Sequence, residues 1–277
     1  MDVRTMATVL SFAAHTSQRS NCMRRTISVL LFLSILSLPL LADDERSAGT
    51  RFAVAIEDGD LDAVKALIED EAASVDTPID YGEHSITPLL KASWDGDLPI
   101  VLYLISKRAN VNARAGDTKE TALMNAVTRG HTEIIKALLA AKADVAPRNS
   151  FDFNAFTSAV AAGNQEIAGL LLDAGAKVDD GASGLTPLAF AVSSGNTEMI
   201  RFLVAHGADV NHGAKFGEQT ALISAILGAQ IESVKTLIEL KADVNAKMKD
   251  GTTPLKLARK GDQEEIVALL EAAGAKK

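Results

Sequence analysis

An all-α solenoid of about seven stacked helix-turn-helix units is the fold this sequence predicts, on three observations. The first is a tripeptide that returns with a nearly fixed period. It reads Thr87-Pro88-Leu89, Thr121-Ala122-Leu123, Asn154-Ala155-Phe156, Thr186-Pro187-Leu188, Thr220-Ala221-Leu222 and Thr253-Pro254-Leu255, at intervals of 34, 33, 32, 34 and 33 residues. The second is an alanine five residues after each opening position: Ala92, Ala126, Ala159, Ala191, Ala225 and Ala258. The third is a glycine soon after that alanine, followed by a second apolar stretch. Self-similarity at this period marks units that cannot bury their apolar faces alone and must stack to form a core.

The elements follow in order. A looser first copy is legible as Thr50, Phe52, Ala55 and Gly59, then Leu61, Val64, Leu67 and Ile68. Its helices carry Glu57, Asp58, Asp60, Asp62, Glu69, Asp70 and Glu71, a composition that suits a solvated end unit. The copy from Thr186 shows the rule for the rest. Thr186 is a good N-cap, and Pro187 fits the first helical position, where its missing N–H has no partner to lose. Leu188, Ala191 and Val192 share one helix face, and Gly195 allows the turn. A second helix runs from about Thr197 with Met199, Ile200, Leu203 and Val204 inward, and Gly207 ends it. Helices this short are marginal alone in water, so stacking must stabilise them. The fourth copy departs from the pattern, with Asn154 for threonine, Phe156 for leucine and Gly169 inside a helix, and is expected to be the softest. Arg108, Lys142 and Lys241 stand where other second helices end in glycine, so those ends are expected either to close differently or to carry mild strain.

These features resemble the ankyrin repeat: T-P-L at the first helix, an inter-helix glycine, an apolar second helix, then G-A-D-V-N. The resemblance covers residues 50–277, with repeats from about 50, 87, 121, 154, 186, 220 and 253. It implies short β-hairpin fingers at 113–120, 147–153, 180–185, 212–219 and 246–252. The histidine that usually follows T-P-L in the family is replaced in every copy, by Leu90, Met124, Thr157, Ala189, Ile223 and Lys256.

The first 42 residues read differently. Met23-Arg24-Arg25 precedes an apolar run, Thr26 to Leu41, then Ala42 and an acidic stretch at 43–49 that reads as a short linker. That order of basic, apolar and small residues predicts a signal peptide over 1–42, with Met23 a credible true start. The run is short for a membrane span, although an uncleaved anchor is the other reading. The chain holds 28 basic and 36 acidic residues, a net of −8, and without residues 1–42 the net is −11. So acidic a chain repels phosphate backbones, which excludes nucleic acid and anionic lipid as natural partners. The single cysteine, Cys22, lies in the part to be removed, so no disulfide framework or thiolate metal site is expected. An exported, periplasmic or extracellular (bacterial) location follows as an expectation, and the mature chain is expected to be a monomer.

Catalytic chemistry finds little support. Asp58, Asp60, Asp62 and Glu69 have calcium-loop spacing, but Ala63 stands where that loop needs glycine. His131-Thr132-Glu133 has the H-x-E spacing of zinc deaminases without the following P-C-x-x-C. The chain therefore reads as non-catalytic, with no cofactor and no metal. Carried over by register, the family's concave recognition face would use the ends of the first helices, namely Trp94 and Asp95, Thr128 and Arg129, Ala161 and Ala162, Ser193 and Ser194, Leu227 and Gly228. The fingers would add Tyr81, Glu83 and His84, then Asp117 and Thr118, then Phe151 and Phe153, and Phe216. Exposed aromatics favour an interface because they bury large area with few rotors. The phenylalanines have a second reading, in which they fold back over neighbouring fingers and shield the core. The expected function is thus a protein-binding module. The other classes open are a membrane-anchored scaffold, or a stress-protective factor or enzyme with an unrecognised site.

Overall fold

A computed structural model of the chain describes residues 47–82, 84–213 and 219–276. The predicted signal peptide, Glu83 and Phe216 lie outside the described residues. Ala48–Lys277 is one compact unit. Its first helix begins two residues before the expected Thr50.

Seven helix pairs follow one another. The first member of each pair is α1 (Ala48–Glu57), α3 (Pro88–Asp95), α5 (Ala122–Arg129), α7 (Ala155–Ala161), α9 (Pro187–Ser193), α11 (Ala221–Leu227) and α13 (Pro254–Lys260). The second is α2 (Leu61–Glu69), α4 (Leu98–Ser106), α6 (Thr132–Ala140), α8 (Gln165–Asp173), α10 (Thr197–Ala205), α12 (Ile231–Glu239) and α14 (Glu264–Ala272). Each first helix packs on its own second helix and on the first helices of both neighbours, which makes an inner and an outer layer. The recurring alanines form the seam of the inner layer. Ala92, Ala126, Ala191, Ala225 and Ala258 are fully buried, because helix axes this close leave room for a methyl group and little more.

From the second repeat on, every opening residue caps its helix. The hydroxyls of Thr87, Thr121, Thr186, Thr220 and Thr253 accept from the N–H three residues on, at 3.1 to 3.4 Å. Asn154 does so at 2.8 Å, and Thr157 answers by accepting from the Asn154 N–H at 3.0 Å. Asn154 also donates to Asp180 at 3.0 Å, and Phe156 is fully buried. The substitutions in the fourth copy that looked weakening therefore make a reciprocal cap and a filled core. What remains of the expected weakness is at α8, where Gly169 faces Phe202 and the outer helices α8 and α10 are the least closely packed neighbours of their layer.

The second-helix ends without glycine close in the same way as those with it. Arg108, Lys142 and Lys241 adopt φ of 65°, 67° and 69°, the left-handed region that Gly175 and Gly207 occupy at 96° and 92°. Beyond these ends, the asparagine of G-A-D-V-N ties one repeat to the next. Asn112 accepts from the Asp144 N–H at 2.8 Å, Asn211 from Asp243 at 2.7 Å and Asn245 from Lys276 at 2.7 Å.

The fingers are slight. One is a regular hairpin, β1 (Ile79–Asp80) antiparallel to β2 (Ser85–Ile86), with Ile79 opposite Ile86. Two others are closed by single bridges, Arg114 with Thr121 and Ala182 with Leu185. Arg148 joins three of them, donating to Asp152 O at 2.7 Å, to Gly181 O at 2.6 Å and to the Asp180 carboxylate, while Arg114 donates to Arg148 O.

Candidate protein-binding face

The ends of the first helices stay open where the register placed them. Trp94, Thr128, Ala161, Ser193 and Leu227 are all exposed, each two residues beyond a buried seam alanine. Geometry explains the alternation. The alanine faces the neighbouring helix, and two residues later the helix has turned its side chain away from the seam. Trp94 is 39% exposed and Leu227 54%.

Trp94 is positioned from the next repeat. The Arg129 guanidinium lies 5.0 Å from the centre of its indole ring, and His131 Nε2 is 3.3 Å from its carbonyl oxygen. This His131 contact runs beside Gly96, which ends α3 at φ 93° and whose missing Cβ leaves room for the imidazole. The structure thus brings together two residues predicted separately, Trp94 and Arg129. His131 and Glu133 of the H-x-E triplet serve locally, His131 on Trp94 and Glu133 on Lys136 at 2.7 Å. Three of the four acids with calcium-loop spacing are also engaged. Asp60 caps α2 at 2.9 Å from the Ala63 N–H, Asp62 pairs with Lys65 at 2.8 Å, and Glu69 pairs with Lys107 at 2.7 Å.

Asp95 is less free than its position suggests. It holds Lys91 Nζ at 2.5 Å, and Glu57 of the preceding repeat holds the same ammonium at 3.2 Å. Lys91 is 9% exposed, so its charge depends on those two carboxylates. Sequence reasoning passed over Lys91 and Glu57, yet a signal was present. Lys91 and Asp95 are four apart on one helix, and Glu57 occupies in its own repeat the position that Trp94 holds in the next.

One aromatic prediction needs correction, and for Phe153 the second of its two readings holds. Tyr81 does not project from its finger. Its ring packs against the core, and its hydroxyl is shielded from solvent without a hydrogen-bond partner. Burial pushes this phenol well above its ordinary range, and the nearby Glu57 and Asp95 carboxylates push in the same direction. Phe153 folds back, its ring centre 5.3 Å from that of Phe190 on α9, because a half-buried phenyl gains more by covering a neighbour than by standing in water. Phe151 does project, 69% exposed, at the tip of the same finger. His84 stands exposed and meets Asp117 of the next finger, Nδ1 to Oδ2, at 3.4 Å.

Stacked helix pairs with capped starts, an alanine seam and asparagine ties define a repeat protein whose surface is its instrument. The chain belongs to the ankyrin-repeat family. The family model for ankyrin repeats in three copies matches residues 112–182 and 177–248, and that for the single repeat matches 84–115. Among solved structures, the chain is similar to the ankyrin repeat domain of Bcl-3, a member of the IkappaB protein family, at 28% identity and a TM-score of 0.71. That likeness covers 80% of this chain and 97% of the other. It is also similar to an ankyrin repeat domain from Acinetobacter baumannii AYE, at 34% identity and a TM-score of 0.63, over 68% of this chain and 98% of that one. Among curated proteins, palmitoyltransferase AKR1 of Lachancea kluyveri is 29% identical over 84% of this chain and 28% of its own length. The chain spans about a third or less of the length of the curated relatives it matches. Among the described residues, no helix is long and apolar enough to cross a membrane.

Proposed function

We propose that this chain is a non-catalytic interaction module that grips a protein partner on the open ends of its first helices, after export and removal of residues 1–42. The observation that carries the binding role is Trp94. The only tryptophan of the chain stands 39% exposed at the head of the inner layer, with Arg129 on its ring and His131 on its carbonyl. A large aromatic held in place while open to solvent loses little freedom on binding, which is what an interface anchor requires. The rigid stack supports the same reading, since its surface is already formed before a partner arrives. The likeness to a palmitoyltransferase fits it too, because the matched stretch is the part this chain builds as a repeat array and only 28% of that enzyme.

Trp94→Ala tests the binding role. It is expected to weaken partner binding by about 2 kcal/mol or more with little change in melting temperature. Lys136→Ala, on the exposed face of α6, is expected to leave binding within about 0.5 kcal/mol. Unchanged affinity in a folded Trp94→Ala variant would place the site elsewhere. Export rests on the order of residues 23–45, and intact mass from the native host checks it: a mature chain starting near Asp43 is expected, while a membrane-bound chain retaining the apolar run would favour the anchored scaffold.

A further inference from the structure

The charge of this protein is not spread along the stack. Residues 50–86, the first repeat, carry ten acidic and two basic side chains, whereas residues 87–277 carry twenty-two and twenty-one. The first repeat therefore holds essentially all of the net charge of −8, and the six repeats after it are together close to neutral. Some of these acids are spent on structure. Asp60 caps α2, Glu71 pairs with Arg51, Asp62 with Lys65, and Glu69 with Lys107. At the end of α1 the arrangement differs. Glu57 stands there with Asp95 of the next first helix on one ammonium, Lys91, which is almost wholly buried, and Asp58 follows Glu57 in the chain. Asp58 has no cation at ion-pairing distance among the described residues.

Two of the few large apolar side chains left open among the described residues belong to the same pair of adjacent helices. Val54 on α1 is 37% exposed and Trp94 on α3 is 39% exposed. The Tyr81 hydroxyl, shielded and without a partner, lies in the field of Glu57 and Asp95 at the same end. Carboxylates around exposed apolar groups make a surface that recognises a matching mixture of cationic and apolar side chains.

We propose that the open end of the first two repeats is the docking site for a basic, apolar-interleaved protein segment, whose lysines or arginines meet Glu57, Asp58 and Asp95 while an apolar residue covers Trp94. This rests on the interaction reading above and names the partner's chemistry. The sign of the charge disfavours nucleic acid and anionic lipid. A second copy of the chain is disfavoured as occupant because none of its repeats carries a net charge above +1. The last repeat, residues 253–277, has five basic and four acidic side chains. An electropositive segment would also be steered to this end from a distance, because the neutral remainder of the stack does not compete for it.

Trp94 is the only tryptophan, so its emission reports this site alone. The probes are a synthetic peptide of alternating lysines and leucines and a glutamate-leucine counterpart of equal length, titrated at about 0.15 M salt, where the screening length is about 8 Å. The lysine peptide is expected to shift Trp94 emission to the blue with a saturable curve, and the glutamate peptide is not. Asp58→Lys, which leaves the Lys91 pairs untouched, is expected to weaken the lysine peptide about tenfold or more. The double change Glu69→Gln with Asp70→Asn, an equal charge change on α2 of the outer layer, is expected to alter affinity less than about twofold.

Equal losses in the two variants would show attraction to net charge rather than to a site and would overturn the proposal. A saturable shift with the glutamate peptide would overturn the basic chemistry while keeping Trp94 as an interface. No shift with either peptide would also overturn the proposal, and the broader interaction reading would fall with it only if Trp94→Ala in addition bound its captured partner normally.

Discussion

Lys142 closes α6 with φ of 67°, a conformation in which its Cβ crowds the backbone, while Gly175 and Gly207 reach the same region at no such cost. The penalty for a residue with a Cβ is about 1–2 kcal/mol. A cation at a helix C-terminus recovers about 0.3–1 kcal/mol of this through the macrodipole. The difference favours glycine. Lys142→Gly is therefore expected to stabilise the protein by roughly 0.5–1 kcal/mol, read as a higher midpoint in urea at unchanged slope. A lower midpoint would mean that the lysine stem covers apolar surface worth more than the strain. The same balance acts at Arg108 and Lys241, which occupy equivalent turns at 65° and 69°.

At the scale of the element, α8 is the place to look for early opening. Its partner α7 has the shortest opening cap of the series and a reciprocal bond from Thr157, so the pair is not weak throughout. Gly169 lowers helix propensity by about 1 kcal/mol relative to alanine. A methyl added there would meet only Phe202 Cζ, at 3.9 Å, an ordinary contact distance. Amides of α8 are thus expected to exchange faster than those of α6 and α10, and Gly169→Ala should slow them and add about 1 kcal/mol of stability. Equal protection across α6, α8 and α10 would show that packing by the neighbours outweighs the glycine.

At the scale of the whole molecule, a stack in which each repeat touches only its neighbours has a stability that varies along its length. Ten acidic against two basic side chains in residues 50–86 make the first repeat self-repelling, and the later repeats are not. Raising salt from about 0.1 M to about 1 M shortens the screening length from about 10 Å to about 3 Å. Hydrogen exchange in α1 and α2 should slow over that range by more than in α11 and α12, which serve as the internal reference. An equal response at both ends would mean that the ion pairs of Arg51, Lys65 and Lys107 already neutralise the repeat. The same charge asymmetry gives the molecule a direction, with an acidic head carrying Trp94 and a near-neutral body behind it.

The sequence by itself determined the architecture, because each of its signals acts within about ten residues. A threonine or asparagine accepting from the N–H three positions on, a seam alanine and an apolar second helix are local requirements, and their period fixes which side chains end up at the helix ends. Trp94, Arg129 and Leu227 were legible for that reason. What the tertiary structure decided are contacts between residues some 30 to 40 positions apart. These are Arg129 lying on Trp94, Glu57 reaching Lys91 and Phe153 turned onto Phe190, and the same stacking closes the Tyr81 hydroxyl off from water. Register states which face a residue occupies. Whether its side chain then stands in solvent or lies across the neighbouring repeat depends on the space that neighbour leaves, and that space exists only once the repeats have stacked.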